Sequence, residues 1–311
     1  MKMGGILLAM MFYCCCQAQQ PVDSLIGKKV ITLSNVVIDN KLDVPGFIRK
    51  IENDSSFYKA FLNLRILGYT ALNDVRMLDK KGALKASLRS KTKQYRKHGC
   101  RFMNTIEESS TGDFYTDDHQ YNYYTAQMYA SLFFTKDSVC HETNIVAGTR
   151  FNPKSKSGME KHKEQLKMLF FNPGKRITGL PFMSNKTAIY DDDIADAYDM
   201  DIDMDVLDGK PCYIFHQKVK PGKEDRVVLD EMTTWFQVAD MEVMARTYKL
   251  SYDAGFYDFK VDMEVQMTQF NGLTVPALIR YTGNWKAILK KRERGIFTAT
   301  LFDFTSADGA K

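Results

Sequence analysis

The chain has 311 residues, 44% of them hydrophobic and 26% charged, with a formal net charge of +5. That length can bury a real core, in one large domain or two smaller ones. The charge is too mild to demand a polyanionic partner, and nucleic acid is not expected for a chain that opens as this one does. Lys2 supplies a short positive start, Gly5 to Cys16 an apolar stretch, and Cys16-Gln17-Ala18 a small-x-small cleavage site before Gln19. Residues 1–18 therefore read as a signal peptide, and the mature chain as an exported periplasmic or outer-membrane-associated protein. Removing them takes away Lys2 and no acid, so +5 becomes +4. The leader is too short to span a bilayer comfortably, and no later stretch approaches about 20 apolar residues. Cys14, Cys15 and Cys16 raise the question of lipidation. A lipobox has a small residue before the modified cysteine, whereas Tyr13 precedes Cys14 and cysteines precede the other two, so lipidation is not favoured.

Residues 19–151 form an N-terminal β-rich region with a short helical segment. Lys29 to Asn40 is expected as a strand. Asp43 caps a helix with Pro45 in its first turn, running through Phe47, Ile48 and Ile51 towards Phe57 and Phe61, with a break near Asn53-Asp54. Tyr69 to Leu78 and Ala83 to Tyr95 flank Lys80-Lys81-Gly82 as a hairpin. Its second arm puts Leu84, Ala86 and Leu88 on one face and Lys85, Arg89, Lys91 and Lys93 on the other. Between Lys80 and Arg101 there are nine Lys or Arg and no acid. The four outward cations offer a contact for a membrane surface; the plainer reading is the solvated face of an edge strand, where lysines discourage aggregation. Tyr121 to Phe134 alternates as a strand, although helical spacing fits nearly as well. Three cysteines follow the leader, Cys100, Cys140 and Cys212. They leave room for one disulfide formed after export, Cys100 with Cys140 among the pairings, and Cys212 reads as a buried thiol.

Residues 152–311 begin with a polar Pro/Ser/Lys loop over 152–158, the best domain boundary, although the two regions can also be one continuous domain. Met159 to Phe171 reads as an amphipathic helix stopped by Asn172-Pro173-Gly174. Ile177 to Asn185 is a crossing loop. A meander without helices follows: Tyr198 to Val206, Pro211 to Val219, Arg226 to Phe236, Met241 to Tyr252, a hairpin, and Gly295 to Phe304. The hairpin is the clearest element. Tyr257, Phe259, Val261, Met263, Val265 and Met267 alternate with polar residues, Asn271-Gly272 is a two-residue turn, and Leu273 to Tyr281 alternates again. The fold class is α+β, mainly antiparallel β: an incomplete, curved, barrel-like meander with a few covering helices.

Chemistry is less legible. Asp199, Asp201, Asp203 and Asp205 share one strand face and offer oxygen ligands for a weak calcium site. Val206 stands where an EF-hand has its turn glycine, so the plainer reading is a solvated face whose counter-charge comes from Lys85 to Lys93 or from Lys290-Lys291-Arg292. The five histidines have no zinc-site spacing. Cys140-His141 is an unpromising nucleophile pair, and Asp230, Glu231 and Glu264 are unremarkable as a hydrolytic carboxylate set. No cofactor motif is present. The apolar set says more: Met232, Trp235, Met244, Tyr248, Tyr252, Tyr257, Phe259, Met263 and Met267 lie on neighbouring strands, and methionine-rich apolar surface suits a lipid-type ligand.

Asp208-Gly209-Lys210-Pro211-Cys212-Tyr213, Trp235-Phe236 with Val243 to Arg246, and Gly272 to Pro276 place residues 187–304 in a pattern that resembles the lipoprotein-sorting superfamily, the periplasmic lipoprotein carrier and its outer-membrane receptor. The resemblance implies an incomplete antiparallel barrel with helices in its mouth. The expectation is a non-catalytic envelope protein binding an acyl-chain, lipid or lipoprotein-like ligand. The alternatives are a structural or adaptor protein with a filled core, and a hydrolase using the acidic strand.

Overall fold

The computed structural model describes residues 22–26, 29–39, 42–144, 168–177, 183–255, 257–286 and 290–306. The leader, the 152–158 loop with the proposed domain boundary, and the first part of the 159–171 helix lie outside the described residues. The chain begins with the hairpin β1 (Val22–Ile26) and β2 (Lys29–Leu33). Three short helices follow, α1 (Asn35–Asp39), α2 (Val44–Asn53) and α3 (Ser56–Asn63). Then come β3 (Gly68–Leu78), β4 (Leu84–Lys97), β5 (Cys100–Gly112), α4 (Tyr124–Phe133) and the two-residue β6 (Val139–Cys140). After a helical turn at 168–171 and the short helix Asp192–Ala195, the meander runs through β7 (Tyr198–Leu207), β8 (Lys210–Val219), β9 (Leu229–Gln237), β10 (Val243–Asp253), β11 (Asp258–Phe270), β12 (Leu273–Lys286) and β13 (Glu293–Thr305).

These strands make one open sheet, ordered β1-β2-β7-β8-β9-β10-β11-β12-β13-β3-β4-β5-β6. Every pairing is antiparallel except β2 with β7. The predicted meander is present in the predicted order, except that Glu224–Arg226 is a short 3-10 helix and the strand expected from Arg226 starts at Leu229; β13 continues it onto β3, so strands from both halves of the chain share the sheet. Its turns follow local chemistry. Asp208 and Gly209 have φ of 51° and 75°, and Asn271 and Gly272 have 49° and 74°, the doubly left-handed geometry that a two-residue type I′ turn requires.

Asp43 caps α2 as expected, its carboxylate accepting from Gly46 N at 3.1 Å. The break near Asn53-Asp54 is also present, between α2 and α3. Two elements differ from expectation. The strand expected over Lys29 to Asn40 stops at Leu33, because Ser34 turns the chain: its carbonyl accepts from Val37 N and Ile38 N, and its hydroxyl also receives Val37 N. Asn35–Asp39 is therefore helical. Tyr121 to Phe134 is helix rather than strand over Tyr124–Phe133. A helix puts Thr125, Ala126, Met128 and Tyr129 on one buried side. Its free N-terminal amides are met by Glu293 of β13, which accepts from Tyr124 N at 3.1 Å and Thr125 N at 2.8 Å; a carboxylate there satisfies orphan donors and the helix dipole together.

The helices cover one face of the sheet with aromatic rings. Phe47 of α2 stands edge-on to Tyr213, Phe215 and Phe236 at 5.7, 5.9 and 5.7 Å. Phe57 of α3 meets Tyr248, and Arg246, buried beneath it, lies 4.3 Å from the same ring and donates to Thr234 Oγ1. Phe170 meets Tyr281 and Trp285, and Tyr129 of α4 meets Tyr281 and Phe297.

The C-terminus of α2 is held by cations. Lys175 Nζ donates to the carbonyls of Ile51 and Glu52, and Lys29 pairs with Glu52 at 3.0 Å. Burial pushes the Lys175 amine down to about 8 from 10.5. Between those values the unfolded chain binds more protons at this position than the folded one, so its contribution to stability rises with pH through that window. Urea midpoints of the parent protein and Lys175→Met should therefore diverge in the parent's favour from pH 8 to 10.5. A constant gap would refute the assignment.

Candidate functional site

On the face covered by the helices, the sheet changes character from one half to the other. From β8 to β12 it is aromatic and filled. On β3 and β4 the inward positions are Tyr69, Ala71 and Asn73, and Ser90, Thr92 and Gln94, all buried. Ala299 and Leu301 of β13 lie in register with Asn73 and Ala71. Over the small side chains of Ala71 and Ala299 a crevice of about 100 Å³ remains beneath the helices. Its apolar wall is made by Phe61 and Leu64 at the end of α3, Leu132, Phe133 and Phe134 at the end of α4, Phe171, Ile279 and the two alanines.

Part of the lining is polar. Asn73 Nδ2 donates to Ser90 Oγ and Thr92 Oγ1, and Gln94 Nε2 donates to the carbonyls of Leu64 and Leu67 at 2.6 and 2.8 Å. Gln94 Oε1 accepts from Thr135 Oγ1 at 3.0 Å. Arg65 and Arg101 complete this wall. Arg101 is hydrogen-bonded to Thr135 and, through Nε and Nη2, to both carboxylate oxygens of Glu142. Burial pushes the Tyr69 hydroxyl up to about 12, with the Arg101 charge acting against it.

None of the nine residues chosen from the sequence lines this crevice. Met232, Tyr248, Phe259, Met263 and Met267 are buried in the core, and Tyr252 and Tyr257 pack half-buried against it. Their partners are the chain's own: Tyr248 donates to the Phe170 carbonyl, and Phe259 stacks on Trp285 at 4.7 Å. Trp235 is in register with Ile214 and Ala245, out of step with inward Thr234 and Phe236, and Met244 sits at a register shift between Val243 and Ala245. Sequence reading missed the crevice because its marks are small residues, Ala71 and Ala299, on strands far apart in the chain. The run of polar residues at inward positions of β4 was the available signal.

The acidic strand stands as drawn, with Asp199 to Asp205 alternating against buried Tyr198, Met200 and Ile202. Its counter-charges come from elsewhere than expected. Asp199 is in register with Lys218 and 3.9 Å from Lys220, and Asp201 is in register with His216. Arg292 instead pairs with Asp258. Burial raises the Asp201 carboxyl, His216 opposes that, and Asp203 and Asp199 add to it. Among the described residues no three His, Cys, Asp or Glu side chains gather as a metal cage.

The edge-strand reading of the basic stripe is corrected: β4 lies between β3 and β5. Arg89 pairs with Asp74 at 3.4 Å, Lys85 with Asp113 at 3.3 Å, Lys91 lies in register with Glu107, and Lys93 lies over the Tyr95 ring. Cys140 is in a disulfide with Cys100, so it is no nucleophile, and Cys212 is a buried thiol. Asp230, Glu231 and Glu264 are engaged by Ser251, Lys249 and Arg280.

No protein-family model matches the chain, and no curated protein is matched by it. Among solved structures it is similar to a DUF1329 family protein from Desulfovibrio piger, at 11% identity and a TM-score of 0.27, over 84% of this chain and 94% of that one. It is also similar to a putative outer membrane lipoprotein-sorting protein domain from Vibrio parahaemolyticus, at 10% identity and 0.27, over 86% and 92%. A LolA superfamily protein from Nitrosomonas europaea follows at 8% identity and 0.24, over 82% and 94%. The lipoprotein-sorting resemblance noted in residues 187–304 recurs among these structures, as a likeness and no more.

Proposed function

We propose that this chain is a non-catalytic, exported envelope protein that holds a small apolar ligand, of acyl-chain or similar character, in the crevice between α3, α4 and the β3–β13 strands. One observation carries the reading: a mostly apolar cavity persists beneath the helices, beside a sheet face that is otherwise filled by the chain's own rings. An apolar concavity with a few convergent polar groups is what a small-molecule site looks like. The leader-like N-terminus supports export.

The test is direct. Native mass spectrometry and solvent extraction of the purified protein should find a small apolar species, and Ala299→Leu, which fills the crevice, should remove it. A protein that carries nothing and takes up no apolar fluorescent probe would end the proposal. That outcome would favour the adaptor reading, which the filled face over β8–β12 supports.

A further inference from the structure

Arg65 and Arg101 line the crevice where its wall turns polar, and the carboxylate lying on them does not come from the crevice wall. It is Glu142, carried by a strap that follows α4 and whose Thr135 is hydrogen-bonded to Gln94 and Arg101. Among the described residues the strap pairs with β5 through the two residues of β6, is bonded to it by Cys100–Cys140, and is held by His141 N to the Gly99 carbonyl and Asn144 to Asn63. Glu142 takes Arg101 in bidentate fashion and lies 3.8 Å from Arg65 Nε. The Arg101 and Glu142 side chains are only 18% and 19% exposed, so this is a largely desolvated pair rather than a surface one. A guanidinium fork met by two coplanar oxygens selects carboxylates by geometry as well as charge.

We propose that Arg65 and Arg101 form the binding site for the anionic head of a carboxylate-bearing apolar ligand, and that Glu142 is the internal carboxylate which that head displaces. The hydrocarbon part lies against the apolar lining of the crevice, so the proposal rests on the crevice reading and names its ligand class. The volume, about 100 Å³, is smaller than the ~150 Å³ engineered apolar cavity that accepts a benzene ring. A short chain is therefore the suitable probe.

Hexanoate and 1-hexanol, alike in chain and different in charge, should be titrated against the full protein by saturation-transfer NMR. Glu142→Gln should tighten hexanoate roughly ten-fold, the lower end of what a charged hydrogen bond supplies, and leave hexanol unchanged. In that background Arg65→Gln, at a half-buried position outside the core, should give back part of the gain for hexanoate, since Arg101 stays in place, and leave hexanol unchanged. Hexanol binding with no gain for hexanoate in Glu142→Gln would overturn the head-group site and leave the crevice standing. Failure of both probes would overturn both.

Discussion

Replacing Cys100 and Cys140 together by alanine should cost about 4 kcal/mol of stability. The bond closes a loop of 40 residues in sequence separation, and removing a closure of that length restores this much freedom to the unfolded chain in the chain-entropy account. Among the described residues, β6 contributes two residues to the sheet, and the strap beyond it is held by His141, Glu142 and Asn144. The urea midpoint should fall in the double variant, and reduced parent protein should unfold at that same lower midpoint. A double variant as stable as the oxidised parent would show that the strap is held by its polar contacts alone. The effect also bears on the proposed ligand site, since the crosslink holds Glu142 against the arginines.

Phe47→Ala should cost about 3–5 kcal/mol, the range for truncating a fully packed phenylalanine. Phe47 is 4% exposed and is the ring through which α2 meets β8 and β9, edge-on to three aromatic partners. Such contacts add to area burial, and α2, with ten residues, is too short to stand alone without them. Phe47→Leu keeps most of the volume and should lose much less. Thermal and urea unfolding of both variants measure the difference; a loss below about 1 kcal/mol in the alanine variant would mean that α2 is not seated on the sheet.

Much of this architecture was legible because it is local. Period-2 alternation in Tyr257 to Met267, the Asn271-Gly272 turn and the Asp43 cap each declare themselves within a few residues, and each is present. The two misread segments show where local signals run out. Tyr124–Phe133 fits either period, and Glu293, far away in the chain, decides the matter by meeting the helix amides. Asn35–Asp39 is apolar enough for a strand, and Ser34 alone turns it. The candidate site was harder to read. Methionines and aromatics mark apolar surface, yet on β9 to β11 that surface is consumed by Phe57, Phe170 and Trp285.

By itself the sequence determined the strands of the meander, their turns and the first capped helix. All of these depend on side-chain alternation, left-handed turn residues and caps, which act over a few positions. Only the tertiary structure decided that β13 returns to β3, that Cys100 meets Cys140, that the acidic strand is answered by its own neighbour β8, and that space remains over Ala71 and Ala299. A cavity is a difference between volumes contributed by distant segments, so no single stretch of the chain can announce it.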